Sequence, residues 1–358
     1  MMLNKSLIGI DIGASSVKIV EVAGGKQKKL KALGLELIPP SAIVDGRVQD
    51  FEVVGQVIRE LLQRLNIMPV GRRAAISLYG TSIQVKRILV SADSDTELEE
   101  QILYAADQKF DKPIEESYFR YQVQSTEPDE NGQISVLAVT ADTEIVNSYL
   151  ELFQKIGLKI GVVDCDVLCL ANMLEFNYAI NESIVGIFNI GATSCQLVLV
   201  GGGQFLYTSD VFIAGDEYSR QITELFGVNF ENAETIKVSA SAGHDFVPQE
   251  MQAIVDGLNE QVVNEMYSAI SFFTETADVS IAHLAPLSHV FLCGGGAKLV
   301  GLDAAIAARF QVPVQVINPF QRVDIPPKIF DVDYVVTQGH LYSVAMGLAL
   351  RKFGDHEA

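Results

Sequence analysis

Residues 7–22 read LIGIDIGASSVKIVEV, and this stretch decides the fold of the chain. Its first part is apolar except for Asp11 and ends at a turn that contains Gly13. From Val17 onwards, apolar and polar residues alternate, which is typical of a strand with one buried face. The stretch therefore predicts a β-hairpin whose tip is polar and contains a glycine.

A second stretch, residues 187–194, repeats this order with the letters IFNIGATS. Asn189 holds the place of Asp11, and the two positions lie half the chain apart. In both halves, strands are followed by segments with apolar residues at helical spacing, the first of which begins after Asp50. This repetition predicts an α/β fold of two related lobes with a cleft between them, and ligands usually bind in such clefts.

Between the two stretches, residues 89–158 follow a different pattern of helix, strand, strand and helix. Because a unit of this kind can cover one of its own faces, the segment is predicted to be a compact α/β insert. The remaining segments complete the two lobes. The first lobe is predicted to comprise residues 1–88, 159–183 and 335–358, and the second lobe residues 184–334.

The composition limits the classes of function. The 358 residues include 26 basic and 45 acidic side chains, which gives a net charge of −19, and 49% of the chain is hydrophobic. This hydrophobic fraction excludes a disordered chain, and the charge disfavours binding to nucleic acid or lipid headgroups. No apolar stretch is long enough for a bilayer and no secretory signal is present. The chain is expected to be cytoplasmic, with no direct membrane insertion, and to reach a membrane through a partner.

The two tips have the residues of phosphate-binding turns. Glycine lets the backbone turn tightly, successive N–H groups in such a turn bind anions, and serine or threonine hydroxyls add donors. In the first tip, Lys18 offers a positive charge and Asp11 a hard oxygen for hydrated Mg²⁺. One such tip would more simply be an ordinary turn with a solvated lysine. Two tips at a half-chain interval favour a binding site.

Two further features are weak when taken alone. The run Gly294-Gly295-Gly296 follows a short apolar strand and allows backbone to lie flat against a ring or a phosphate. Such a run often does no more than turn the chain. Glu234 and Lys237 share one face of a predicted helix, and a surface ion pair is the simpler interpretation of that spacing.

Together, these features resemble the actin-like ATPase superfamily and, within it, the PilM family of type IV pilus assembly proteins. The resemblance covers nearly the whole chain and implies that ATP and Mg²⁺ occupy the cleft. It implies that Asp11, Asn189 and Asp164 hold Mg²⁺ through water. The nucleotide-binding residues that it implies are Gly13, Ala14, Ser15, Ser16, Lys18, Gly191, Ala192, Thr193, Glu234, Lys237, Gly294, Gly295, Gly296 and Ala297.

The resemblance also implies a partner and a location. It gives the insert at 89–158 the position of the 1C subdomain that the PilM and FtsA families share. It implies a peripheral protein at the cytoplasmic face of the inner membrane, which binds the short cytoplasmic N-terminal peptide of a PilN-like membrane protein between subdomains 1A and 1C. Self-association is compatible with this resemblance, and nucleic acid is not among the implied partners.

Asn189 departs from the family pattern, which has an aspartate at this position. Phosphoryl transfer depends on charge at the metal, so the change is expected to reduce turnover more than binding, leaving at most a weak ATPase. Two alternatives remain open: a sugar or carboxylate kinase of the same superfamily, and a polymer-forming division protein of the FtsA type. Asn189 and the insert count against the kinase, and residues 352–358 lack the amphipathic face of an FtsA-type membrane helix.

Overall fold

The protein is described by a computed structural model that covers residues 6–91, 95–124, 128–180, 183–241, 248–276 and 285–353. In chain order, the strands are β1 (Ile8–Ile12), β2 (Ser16–Ala23), β3 (Lys28–Leu37), β4 (Ile43–Val44), β5 (Arg47–Val48), β6 (Arg73–Leu78), β7 (Ile83–Val90), β8 (Ser117–Val123), β9 (Ile134–Asp142), β10 (Lys159–Cys165), β11 (Ser183–Ile190), β12 (Cys195–Gly201), β13 (Gln204–Val211), β14 (Ala285–Cys293), β15 (Val314–Val316) and β16 (Val323–Asp324). The helices are α1 (Phe51–Arg64), α2 (Asp95–Lys109), α3 (Thr143–Ile156), α4 (Asp166–Asn177), α5 (Gly215–Phe226), α6 (Phe230–Ser241), α7 (Gln249–Thr276), α8 (Leu302–Phe310), α9 (Val332–Gln338) and α10 (Ser343–Leu350).

The hairpin predicted over residues 7–22 forms the centre of a six-stranded sheet. Its two strands, β1 and β2, pair antiparallel, with Asp11 opposite Lys18. The order of the sheet is β10-β6-β1-β2-β3-β16, and β6 runs parallel to both β1 and β10. The carboxyl ends of three parallel strands therefore meet beside the hairpin tip, which is where α/β sheets generally bind ligands.

Helix α1 covers one face of this sheet. The side chain of Asp50 caps the helix by accepting a hydrogen bond from the backbone N–H of Val53 at 3.0 Å. Such a cap satisfies an N–H that has no partner within the helix. Val54, Ile58 and Leu61 are buried in the core beneath it. The helix predicted after Asp50 is confirmed.

The segment predicted as an insert contributes to two parts of the fold. Strands β8 and β9 belong to a separate three-stranded sheet of order β7-β9-β8, whose first strand begins at Ile83. Helix α3 places Tyr149, Leu152 and Phe153 in the same core as α1 and the six-stranded sheet. The three-stranded sheet and the first lobe thus join through α3, and the division of domains at residues 89 and 158 stays a prediction.

The second lobe repeats the arrangement of the first hairpin. Its sheet has the order β13-β12-β11-β14-β15, in which β11 and β12 pair antiparallel and β14 runs parallel to β11. Asn189 lies opposite Gln196 in this second hairpin, as Asp11 lies opposite Lys18 in the first. Helices α5, α7 and α8 bury apolar side chains against this sheet. Across the described residues, the 28-residue helix α7 included, no helix combines the length and apolar character needed to span a membrane.

The first lobe is closed by α10, which packs against β1 and α4. Glycine permits the close approach on both sides of this helix. A Cβ on Gly9 would lie 2.2 Å from the carbonyl oxygen of Ala345, and one on Gly347 would lie 2.1 Å from that of Cys169. The outer edge of the same sheet is completed by β16, which pairs with the start of β3.

Candidate functional site

The first tip holds a partly enclosed ion pair. Lys18 Nζ lies 3.4 Å from Asp11 Oδ2, and the two side chains are 15% and 8% exposed. The tip is closed by a hydrogen bond from the N–H of Gly13 to the carbonyl of Ser16 at 3.1 Å. A Cβ on Gly13 would lie 3.1 Å from Lys18 Nζ, so a larger residue would crowd the ammonium group. Ser15, at the outermost point of the tip, is exposed.

Asp166, the first residue of α4, lies beside this pair, and the site prediction missed it. Its carboxylate is buried, and Oδ1 has no hydrogen-bond partner among the described residues. Burial raises the pKa of Asp166 well above its usual value, and the negative charge of Asp11 adds to this rise, whereas Ser77 and Lys18 oppose it. A buried acceptor without a donor is costly. Asp166 is therefore suited to receive a cation or a bound water.

Asp164, the predicted metal-binding residue of this segment, has partners within the protein. Its Oδ2 lies 2.7 Å from Arg351 Nη1, and its Oδ1 accepts a hydrogen bond from the N–H of Cys165 at 2.8 Å. The two carboxylates are two positions apart at the point where β10 ends and α4 begins. The sequence contains both, but it holds no signal that distinguishes the one that pairs with an arginine from the one that lies beside Asp11.

Changing Asp166 to asparagine tests its buried charge through the pH dependence of stability. Because the pKa of Asp166 is raised in the folded state, the native protein binds this proton more tightly than the unfolded chain does. The wild type should lose this contribution as pH rises from about 4 through the raised pKa. We expect Asp166→Asn to be more stable than the wild type by at least about 1 kcal/mol near pH 7 without ligands, with the difference growing as pH rises.

Urea denaturation of both proteins between pH 5 and pH 8, roughly the range in which native domains are most stable, measures this difference. The matched control is Asp164→Asn, which removes the carboxylate 2.7 Å from Arg351 Nη1 and should cost about 3 kcal/mol throughout. A constant difference between Asp166→Asn and the wild type across this range would contradict the assignment.

The second tip has the same backbone geometry, but the two residues at the positions of Asp11 and Lys18 are uncharged. The N–H of Gly191 donates to the carbonyl of Ser194 at 2.9 Å, as in the first tip. Asn189 Nδ2 donates to Gln196 Oε1 at 2.9 Å, in the place where the first tip has its aspartate and lysine. Both charged side chains of the first tip, the aspartate and the lysine, are therefore replaced by amides in the second tip.

The start of α5 lies directly on this second tip. The N–H of Asp216 donates to the carbonyl of Ala192 at 2.8 Å. Lys237 is buried, and its Nζ donates to the carbonyl of Gly215 at 2.9 Å and to Glu234 Oε2 at 2.7 Å. An ordinary surface ion pair does not fit this arrangement, because the ammonium group is enclosed next to the tip. The structure brings Glu234 and Lys237 together with the second tip.

Two of the three consecutive glycines are explained by packing against the same tip. Gly294 has a φ of +81°, and a Cβ on it would lie 2.6 Å from Asn189 Oδ1. A Cβ on Gly296 would lie 2.3 Å from Ile190 Cγ2. Gly295 is exposed, and a Cβ on it would meet no atom of the described residues within 4 Å, so it is the glycine with room for a ligand. Ala297, which follows, is buried.

His340 is a further residue at this turn that the sequence did not indicate. Its Nδ1 donates to the carbonyl of Gly294 at 3.0 Å, and the N–H of Gly294 donates back to the carbonyl of His340 at 3.0 Å. Burial lowers the pKa of His340 to about 4, so the imidazole is neutral at pH 7. The glycine turn is thus held to the segment that leads into α10.

A cavity of about 350 Å³ opens between the lobes beside these groups. Asp166 lines it from the first lobe, Gln196 and Asp210 line it from the second, and Lys86 lines it from β7. Burial raises the pKa of Asp210. A larger cavity of about 470 Å³ lies between α7 and α8, and none of the predicted site residues lines it.

Two hairpin-centred lobes with a cavity between them define an actin-like fold, and the fold class predicted from the sequence is confirmed. Within this class, the chain belongs to the family described as type IV pilus assembly protein PilM, whose family model matches residues 9–353. The family membership that the sequence motifs suggest is therefore confirmed as well.

Solved structures agree with this assignment. The chain is similar to one described as the PilM-PilN type IV pilus biogenesis complex, with a TM-score of 0.84, 26% identity, and 97% of this chain and 98% of that chain covered. It also resembles the ethanolamine utilization protein EutJ from Carboxydothermus hydrogenoformans, with a TM-score of 0.55, 17% identity, and coverage of 96% and 89%. MreB 5 of Spiroplasma citri bound to AMPPNP matches with a TM-score of 0.53, 12% identity, and coverage of 96% and 94%. The last two likenesses concern the fold alone.

Proposed function

We propose that this protein is an ATP-binding scaffold of type IV pilus machinery or of a related secretion or competence system. ATP would bind between the two tips and stabilise one arrangement of the lobes, which sets the surface offered to partners. The observation that carries the proposal is the enclosed Asp11–Lys18 pair, on a chain of the PilM family, with an oxygen of Asp166 beside it that no described residue satisfies.

The charges at the cleft suit a nucleotide with its metal. Lys18 and Lys237 are enclosed cations, one at each tip, and the tips add backbone N–H groups. The oxygens of Asp11, Asp166 and Asn189 are hard donors of the kind that bind Mg²⁺ through its waters. Because the Asp166 oxygen lacks a partner in the described part of the chain, these residues fit the ion, and we propose Asp166 in the role that the family resemblance implies for Asp164. Bound Mg²⁺ would neutralise part of the phosphate charge.

The second tip favours binding over turnover. Asn189 and Gln196 satisfy each other by a hydrogen bond, so this pair contributes neither a carboxylate for the metal nor a cation for the phosphates. Phosphoryl transfer relies on such charges to stabilise its transition state. We therefore propose at most weak ATPase activity. The same argument counts against the alternative of a sugar or carboxylate kinase.

The proposed partner is a PilN-like inner-membrane protein, because the similar structure is described as a complex of PilM with PilN. The three-stranded sheet meets the first lobe where Tyr118 on β8 donates to Asn147 on α3 at 3.2 Å. As an outer strand, β8 pairs with β9 alone in the sheet order of the described residues, and Tyr118 and Tyr121 on it are exposed. An exposed sheet edge can bind an extended peptide as an added strand, and side chains along the edge strand alternate between the two faces of the sheet that such a peptide contacts. We propose this junction as the peptide-binding groove.

Two titrations of the purified full chain test the proposed function. Calorimetry with ATP should detect binding that weakens when Mg²⁺ is removed, and no detectable binding would overturn the nucleotide part. An assay of ADP release should show little turnover without or with small-molecule acceptors. Robust turnover that Asp11→Ala abolishes would overturn the proposal of a scaffold with at most weak hydrolysis.

Replacing Tyr118 and Tyr121 by alanine should weaken binding of the cytoplasmic N-terminal peptide of a PilN-like protein by at least about tenfold, because exposed aromatic anchors dominate small interfaces. Fluorescence anisotropy with a labelled peptide measures this change. Tyr104→Ala is the matched control, since Tyr104 is a 68% exposed tyrosine on α2 and not on β8. Equal affinity of the double variant and the control would contradict the proposed groove.

A further inference from the structure

One end of the six-stranded sheet collects basic side chains. Strands β1, β6 and β10 begin at this end, β2 ends there and β3 begins there, so it lies opposite the first tip. Segments that are far apart in the sequence contribute to it. These residues, which we call the basic edge, are Lys26, Lys28, Lys29, Arg72, Arg73, Lys159 and Lys352.

Contacts between neighbours show that the basic edge is continuous. Burial lowers the pKa of Lys28, and the nearby positive charge of Lys352 lowers it further. Lys352 also bridges to Ser6, next to the start of β1. On the other side of β1, Arg73 lies opposite Lys159 in the pairing of β6 with β10. The cations therefore lie on both sides of β1, from β10 to the start of β3, at this end of the sheet.

The basic edge is positively charged, whereas the rest of the molecule is negatively charged. Among its carboxylate neighbours, Glu21 lies 2.6 Å from Arg72 and Asp324 lies 3.6 Å from Lys29. The edge holds seven of the 26 basic residues of the chain and is next to these two of its 45 acidic residues. The rest of the chain therefore has 19 basic and 43 acidic residues. The net charge of −19 is thus unevenly distributed, with a local excess of positive charge at this end.

Exposed apolar side chains adjoin these cations. Met68 and Val70, in the loop that leads to Arg72, are 75% and 82% exposed. Phe353 is 57% exposed, and the guanidinium group of Arg73 lies 3.6 Å from the centre of its ring. Protruding apolar side chains among lysines and arginines are typical of surfaces that bind anionic membranes, because the cations attract the headgroups and the apolar groups enter the interface.

We propose that the basic edge binds the surface of an anionic phospholipid bilayer. The apolar side chains protrude from a loop and do not line a groove, which suits a bilayer better than an acidic peptide. The acidic remainder of the chain opposes this binding only weakly, since charges more than about 10 Å away are largely screened at 0.1 M salt. The composition argued against lipid binding because an average charge conceals this separation. The inference depends neither on the nucleotide nor on the peptide partner of the proposed function.

Sedimentation of the purified full chain with vesicles tests the proposal. We expect binding to vesicles that contain phosphatidylglycerol, little binding to vesicles of phosphatidylcholine alone, and a decrease with added salt. The triple variant Lys26→Glu/Lys159→Glu/Lys352→Glu should bind the anionic vesicles about 100-fold more weakly, since each basic residue near such a surface contributes about fivefold. All three positions are exposed, so the fold should tolerate the changes.

The matched control, Lys109→Glu/Arg120→Glu/Lys298→Glu, changes the net charge equally at exposed positions outside the basic edge. It should bind nearly as well as the wild type, and circular dichroism should show that both triple variants are folded. A separate variant, Met68→Ser/Val70→Ser, should bind the anionic vesicles about tenfold more weakly than the wild type. This difference should remain at high salt, because salt does not screen the apolar contribution. Absence of binding to anionic vesicles, or equal loss in both triple variants, would overturn the proposal. Capture of an acidic partner segment without vesicle binding would overturn it in favour of a protein ligand.

Discussion

Gly347→Ala is expected to destabilise the first lobe by about 3 kcal/mol, the upper part of the range for overpacked cores. The added methyl group would lie 2.1 Å from the carbonyl oxygen of Cys169, and this neighbour is backbone, which cannot rotate away as a side chain can. Either α10 or α4 must therefore shift, and α10 also contacts β1 through Gly9. Urea denaturation followed by circular dichroism measures the loss as a lower midpoint.

Gly257→Ala provides the matched control for this prediction. Gly257 lies within α7, and a Cβ on it would meet no atom of the described residues within 4 Å beyond its own helix backbone. Alanine favours a helix over glycine, so this variant should be more stable by about 0.5–1 kcal/mol. If the two alanine variants had the same denaturation midpoint, the close packing of α10 against α4 would be contradicted.

Lys18→Met is expected to weaken ATP binding by at least about 100-fold, because charge-assisted bonds to phosphate are strong and their loss leaves a negative site. Lys18 is the cation of the first tip, and its removal would leave the carboxylates of Asp11 and Asp166 facing an anionic ligand. Calorimetric titration with ATP and Mg²⁺ measures the change. Lys298→Met, a change at an exposed lysine whose Nζ donates to the carbonyl of Thr337, should leave the affinity unaltered.

The loss of Lys18 also removes the partner of Asp11, so stability must be separated from affinity. Removing one partner of an enclosed ion pair lowers the free energy of unfolding by about 3–5 kcal/mol. The double variant Asp11→Asn/Lys18→Met removes both charges of the pair and should recover most of this stability while still binding ATP poorly. Wild-type affinity in either variant would show that the first tip does not hold phosphate.

Local sequence patterns predicted much of the fold. The alternation after Val17 and the glycine at position 13 predicted the hairpin, and the repeat at Asn189 predicted its counterpart in the second lobe. Both follow from the period of a strand and from turn chemistry, which act between residues close in the chain. The place of α3 in the first core was not predictable in this way, since it depends on contacts with α1 and β10.

The residues of the candidate site were likewise predictable only where they belong to a local sequence pattern. The sequence indicated Asp11, Lys18 and Asn189 because each belongs to a recurring turn. It did not indicate Gln196, although the exchange at Asn189 is understood only with its cross-strand partner. It also did not indicate His340, which contacts the glycine turn from a distant segment. Pairings across a sheet or between distant segments are set by register and packing, and a single sequence does not reveal them.

The packing of α10 against β1 has a consequence for the order in which the lobes can form. These two elements are separated by almost the whole sequence, whereas the strands of the second sheet follow one another from β11 to β15. During synthesis, β1 and β2 are made long before α10, so the side of the sheet with Gly9, Val20 and Val22 lacks this cover until α10 is made. We therefore expect the second sheet to form first and the first lobe to be completed by its contact with α10, because closing the long loop between β1 and α10 slows folding.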